Sequence, residues 1–315
     1  MTERPQAAAR QAALFGRLSA GLPPLMQQYR QLAAPHALML SGPFGVGKST
    51  LAGLLAQSLL CQGEGRPCET CPACKQAGNR SHPNLLLVSA QQRQRSVKVE
   101  QARALLQNLA AYPFAKGPRV VMLERVDTFT PQAQNALLKA LEEPDSATCF
   151  ITTCENENAV LTTIRSRCRI VRLPPWPEEL VLEVLLQHQV NGQEAQELAR
   201  IAMGSPGKAL ATRDDSAFWQ MKDSLDQMIL QDGGMARFPG LSNRLREMKD
   251  RAGQALDYLE AAALGLLSST GASSKRARTI LEGVLKAREQ QASNLSWQAI
   301  IDGLLMNILE EQQHA

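Results

Sequence analysis

Aromatic residues are scarce: phenylalanine, tryptophan and tyrosine make up 4% of the 315-residue chain. No stacking platform for single-stranded nucleic acid, which needs successive aromatic faces, is evident. A dominant charge is also missing. Thirty-four basic residues stand against thirty acidic ones, a net +4, which permits nucleic acid nearby but gives no DNA-binding signature. No stretch approaches the ~20 unbroken apolar residues of a membrane span, so no membrane partner is expected. Met1 to Arg17 holds no apolar segment followed by a cleavage site, so no secretory signal is expected. Cysteines number seven, four of them clustered, which fits a metal site in a reducing cytoplasm better than a disulfide framework.

What is present is organised around Ser41-Gly42-Pro43-Phe44-Gly45-Val46-Gly47-Lys48-Ser49-Thr50. The pattern Gly-x-x-x-x-Gly-Lys-Ser is the phosphate-binding loop. The apolar run Ala37–Leu40 before it reads as a buried strand, and Leu51–Ala56 after it as a helix, which is the context the motif requires. Gly42, Gly45, Val46, Gly47, Lys48, Ser49 and Thr50 are therefore the expected nucleotide-binding residues. Gly45 and Gly47 let backbone N–H groups and the helix N-terminus approach an anion. Lys48 reaches the outer phosphates, and the Ser49 hydroxyl is placed to ligate Mg²⁺. ATP or ADP with Mg²⁺ is the expected ligand. His36, just ahead of the strand, reads as a packing residue.

Cys61, Cys68, Cys71 and Cys74 follow the helix, interleaved with Gly65, Pro67 and Pro72. Four thiolates close a tetrahedral Zn²⁺ shell with no open position, so the site reads as structural. His82 is a weaker substitute ligand.

Strands are expected at Leu85–Val88, Arg119–Leu123, Cys149–Thr153 and Ile170–Leu173, and a helix over Val97–Ala111 with Val99, Ala102, Leu106 and Leu109 on one face. Thr130-Pro131 supplies an N-cap and a first-turn proline for a helix ending before Pro144. Ala7–Ala34 reads as helical and Gln91–Ser96 as a basic surface loop. Strands alternating with helices give a parallel α/β sheet covered on both faces. At Pro174-Pro175-Trp176-Pro177 the pattern turns all-helical, with helices expected over Glu178–Gln189, Gly192–Met203 and from Pro206. The expected domains are 1–175, 176–213 and 214–315. Two apolar stripes, Ile280-Leu281-Val284-Leu285 and Trp297-Ile300-Ile301-Leu304-Leu305-Ile308, read as the core or seam of a helical bundle.

Several segments together resemble bacterial clamp-loader subunits of the AAA+ class: Asn135–Pro144, Ser166-Arg167-Cys168 and the four-cysteine insert after the phosphate loop. The short C-terminal part resembles the delta-prime branch of that family rather than tau. The resemblance implies an AAA+ module, a small helical lid and an all-α collar. It also implies a hetero-pentamer with gamma/tau and delta subunits that loads a sliding clamp onto primed DNA.

The departures from the family pattern bear on mechanism. Active members end the third strand in Asp-Glu; here Glu124 and Arg125 stand there. Glu124 can still support a metal, but a guanidinium cannot act as a general base. Asp127 lies two residues too late. Where active members place a threonine to sense the γ-phosphate, this chain has Glu155. Where their lid carries Gly-Ser-x-Arg, it has Gly204-Ser205-Pro206-Gly207, with Lys208 one place along. Arg167 is implied to act as an arginine finger in a neighbouring subunit's site. The expectation is a subunit that binds nucleotide but hydrolyses it poorly or not at all. An active ATPase subunit of the same machine, and an AAA+ ATPase outside replication, remain the alternatives.

Overall fold

The computed structural model describes residues 36–64, 66–90, 96–110, 117–144, 147–230, 236, 238–247, 249–267, 272–293 and 295–314. The helix expected within 7–34 and most of the loop expected at 91–96 lie outside them. The chain divides into two compact units, Met1–Trp176 and Pro177–Ala315.

The first unit is built on a five-stranded sheet in the order β2-β3-β4-β1-β5. Its strands are β1 (Ala37–Ser41), β2 (Leu85–Val88), β3 (Arg119–Leu123), β4 (Thr148–Cys154) and β5 (Arg169–Arg172). All pairings are parallel, with Leu38 opposite Ile151 on one side and Arg169 on the other. Successive side chains alternate between faces, so both faces of an apolar strand must be covered. Leu38, Leu40, Val120 and Met122 pack under α1 (Lys48–Leu60) through Leu51, Ala52, Leu55 and Ala56. Met39, Val121, Leu123 and Phe150 face the opposite way, against α3 (Val99–Ala110) and α4 (Pro131–Glu142). Between them in sequence lies the short α2 (Pro72–Gly78). In α3 the deepest positions are Ala102 and Leu105; Val99, Leu106 and Leu109 flank them half-buried. The expected face was thus rotated by about one position, because Leu105 rather than Leu106 points at the sheet. Thr130 caps α4, its hydroxyl accepting from Ala133 N at 3.2 Å. The short α5 (Thr162–Arg165) leads into β5.

Among the described residues the second unit is wholly helical: α6 (Glu178–Gln187), α7 (Gly192–Ile201), α8 (Pro206–Arg213), α9 (Ser216–Leu230), α10 (Phe238–Glu247), α11 (Ala252–Leu267), α12 (Ala272–Ala292) and α13 (Trp297–His314). The first two end earlier than periodicity alone indicates. Gln189 and Met203 take left-handed conformations, and a left-handed residue closes a helix. Ile201 shares one core with Phe218, Met221, Leu256 and Tyr258. Residues on both sides of Arg213 therefore belong to one packed unit.

The stripe on α13 is buried at all six expected positions. The stripe on α12 is not. Ile280 and Val284 are buried with Ala277 and Ala287, but Leu285 is 64% exposed. Ala277, Ile280, Val284 and Ala287, spaced three, four and three apart, form the buried face and leave Leu285 outward.

Candidate functional site

The phosphate loop leaves β1 between β4 and β5. Gly42 N donates to Cys154 O at 3.3 Å, and Leu173 N to Ser41 O at 2.7 Å. A Cβ at Gly42 would lie 2.5 Å from the Leu173 carbonyl oxygen, so this glycine is required by close backbone passage. Gly47 has φ +94° and caps α1, its carbonyl accepting from Leu51 N at 2.9 Å. This left-handed turn directs the first N–H groups of α1 toward the loop, the arrangement that binds phosphate. Lys48 is only 5% exposed. Its ammonium donates to Gly42 O at 2.8 Å and Pro43 O at 2.6 Å, folded back into its own loop. Burial pushes the ammonium below its ordinary pKa, with Glu155 acting against that shift. Ser49 is exposed at the first turn, and Val46 is buried beneath the loop.

Beside the loop, two of the residues that depart from the family pattern, Arg125 and Glu155, form a charged network with Asp127. Arg125 is left-handed (φ +57°), its N–H donating to Thr153 Oγ1 at 2.9 Å. That turn swings the chain so that Arg125 Nη1 meets Glu155 Oε1 at 2.9 Å and Nη2 meets Asp127 Oδ2 at 3.2 Å. Asp127 also accepts the Glu155 backbone N–H at 3.2 Å. Asp127, read from spacing as displaced, is thus the network's anchor. Glu124 is engaged elsewhere. Its buried Oε1 faces Arg80 Nη2 at 2.8 Å, a charge contact without hydrogen-bond alignment. Arg80 follows the cysteine segment, and nothing in the spacing marks it as a partner of Glu124. In the helical unit, Lys208 Nζ is bound to Asp257 at 2.7 Å.

Arg167 sits on the turn between α5 and β5. It pairs with Glu142 at the end of α4, and its Nη1 donates to Thr163 O at 2.7 Å. The neighbouring Cys168 thiol is buried and pushed up to about 12 by that burial, so it packs rather than reacts.

The four cysteines converge. All four Sγ atoms lie within 4.8 Å of one another, and Cys68 and Cys74 Sγ are 4.0 Å apart. A tetrahedral zinc–thiolate shell at the usual bond length has edges of about 3.8 Å, so the set fits one such ion. The backbone is arranged for thiolate charge. Gly63 N and Cys68 N both point at Cys61 Sγ, Cys71 N at Cys68 Sγ, and Cys74 N at Cys71 Sγ, each at 3.4 Å. The N–H of Cys71 draws the Cys68 thiol down to about 5, while burial pushes Cys74 up to about 12. His82 stands outside the group, with Nδ1 accepting from Asn84 N at 3.1 Å.

A nucleotide-type loop after the first strand of a 2-3-4-1-5 parallel sheet, followed by helices, defines an AAA+ module. A family model described as DNA polymerase III, delta subunit, matches residues 21–177. The DNA polymerase III subunit delta' of Escherichia coli (strain K12) is 31% identical over 65% of this chain and 62% of the relative. That of Haemophilus influenzae is 31% identical over 67% of each. The chain belongs to this family of DNA polymerase III delta-prime subunits. The match to the Bacillus subtilis delta' subunit covers 54% of that relative, so the chain spans about half to two thirds of the length of the delta' relatives it matches. The solved structure of a DNA polymerase III gamma subunit-related protein from Thermotoga maritima shares the fold at a TM-score of 0.50 and 15% identity, covering 91% of this chain and 99% of that one.

Proposed function

We infer that this chain is a non-hydrolysing subunit of a bacterial clamp loader. In this reading it acts in the cytoplasm, joining gamma/tau and delta subunits in a hetero-pentamer that places a sliding clamp on primed DNA. Residues 1–175 form the AAA+ module, 176–213 the lid and 214–315 the collar that joins the ring. The Cys61, Cys68, Cys71 and Cys74 group holds a structural Zn²⁺.

The observation that carries the reading is Arg125. Where a carboxylate would polarise the attacking water, the chain places a guanidinium already bound to Asp127 and Glu155. Such a group stays protonated and accepts no proton. The phosphate loop is intact, so it binds nucleotide without turning it over. Its own contribution to turnover is Arg167, offered to the neighbouring subunit's ATP. Gamma and tau subunits are among the chain's relatives, and the intact loop favours a second reading, an active ATPase subunit of the same complex.

Reconstitution separates the readings. Adding this chain to gamma/tau, delta and the clamp is expected to complete a complex that loads primed DNA, while the chain alone shows no ATP turnover. A chain ending at Trp176 keeps both of its sheet-face cores but is expected to fail to enter the complex. Turnover by the isolated chain, or clamp loading that is complete without it, would contradict the reading.

A further inference from the structure

We propose that the nucleotide site of this chain holds a nucleoside polyphosphate without a divalent cation, because two arginines of its own occupy the place of the metal charge. The proposal rests on the reading of the loop as a nucleotide site.

A phosphate loop needs Mg²⁺ for two reasons. The ion bridges phosphate oxygens, and it is held in turn by the loop hydroxyl and a carboxylate at the end of a neighbouring strand. Here Ser49 supplies the hydroxyl, but the carboxylate is taken. Glu124, the only acidic side chain directly at the end of β3, has its buried oxygen facing Arg80 at 2.8 Å. The next residue along is Arg125, a cation, locked by Glu155 and Asp127. A hexaquo-type ion entering this position would have to displace one guanidinium and stand beside another. The donor set therefore does not fit Mg²⁺, which takes one or two free carboxylates and ordered water.

Charge counting points the same way. Glu124, Asp127 and Glu155 contribute three negative charges. Each is already matched within the chain, Glu124 by Arg80, and Asp127 and Glu155 by Arg125. Two guanidinium charges equal the charge of one Mg²⁺, and unlike the ion they are covalently tethered. Arg80 is left-handed at φ +57°, as is Arg125. Both side chains are carried on left-handed turns, one after the cysteine segment and one after β3.

The test is calorimetric titration of the full-length chain with ADP and with ATP, in a chelator-free buffer without Mg²⁺ and again in Mg²⁺. The affinity is expected to agree within about twofold between the two buffers, since the attraction comes from tethered charges. The variant Arg80→Asn/Arg125→Asn keeps residues that tolerate the left-handed conformation. It is expected to bind about tenfold more weakly without Mg²⁺ and to recover in Mg²⁺, once Glu124, Asp127 and Glu155 are released. Circular dichroism and zinc content would verify that the variant is folded.

Binding by the wild-type chain that strengthens tenfold or more with Mg²⁺ overturns the proposal, as does a double variant that gains no response to Mg²⁺. If Mg²⁺-dependent binding comes without turnover, the non-hydrolysing reading survives and only this inference fails. Mg²⁺-dependent binding with turnover overturns both. No binding in either buffer overturns the inference and leaves the assembly role standing.

Discussion

Replacing Arg167 by alanine in a reconstituted loader is expected to lower DNA-stimulated ATP turnover severalfold and to impair clamp loading, with assembly unchanged. An arginine finger is worth roughly 10³–10⁵ in rate at the site it serves. The loss for the whole complex is smaller, because the remaining subunits keep their own sites. Arg167 lies on the turn before β5, and its nearest charge is Glu142 of the same chain. Both partners are partly exposed, and an exposed pair of this kind contributes only about 0.2–1 kcal/mol. Reaching a neighbour's phosphate therefore requires giving up little. Arg167→Lys is expected to behave like the alanine variant, because an ammonium lacks the planar donor fork. Steady-state turnover, read beside the subunit stoichiometry on a sizing column, checks the prediction. Normal turnover in the alanine variant would remove the finger assignment.

Replacing Cys71 by serine is expected to lower bound zinc from about one per chain to a small fraction. Three cysteines plus a hydroxyl no longer close a tetrahedral thiolate shell. Apparent Zn²⁺ binding energies in small zinc modules run to about 10–16 kcal/mol, so metal and local fold are lost together. The insert contributes few apolar side chains of its own: Ala73, Cys74 and Ala77 are buried in α2. What ties it to the sheet unit is Gln57, whose Nε2 donates to Cys74 O at 3.1 Å, and the Arg80–Glu124 pair. Amide exchange should accelerate over residues 61–80 while β1, β3 and β4 stay protected, since Ala77 is the one residue that the insert contributes to the buried clusters on the two faces of the sheet. Protein prepared without chelator and found to hold no zinc would contradict the assignment.

The parts of this architecture that are local in sequence could be read from it. Continuous apolar runs mark β1 and β3, because strands covered on both faces admit no polar alternation. The phosphate loop and the four cysteines are each confined to a short stretch, so spacing alone brings their atoms together. The strand order could not be read, since it depends on which helix covers which face. The network around Arg125 was legible only as a set of substitutions. Its closure depends on a left-handed turn that spacing does not reveal, and that turn is what brings Asp127 back to Arg125 and to the Glu155 N–H. Arg80 and Glu124 are 44 positions apart and Glu142 and Arg167 are 25 apart, and each pair meets only through the folded sheet. Leu285 misled for a different reason. A helical stripe records periodicity, and the small residues Ala277 and Ala287 took the buried positions that size alone assigned to leucine.

Lys48→Ala in the complete loader is the sharpest probe of whether nucleotide in this chain's own loop is turned over. Lys48 is the buried cation of the loop, and with Arg125 in place of a base its loss removes binding at this site alone. The account predicts DNA-stimulated ATP turnover and clamp loading close to those of the unmodified complex. Turnover abolished by Lys48→Ala would make this chain a motor subunit and contradict the account.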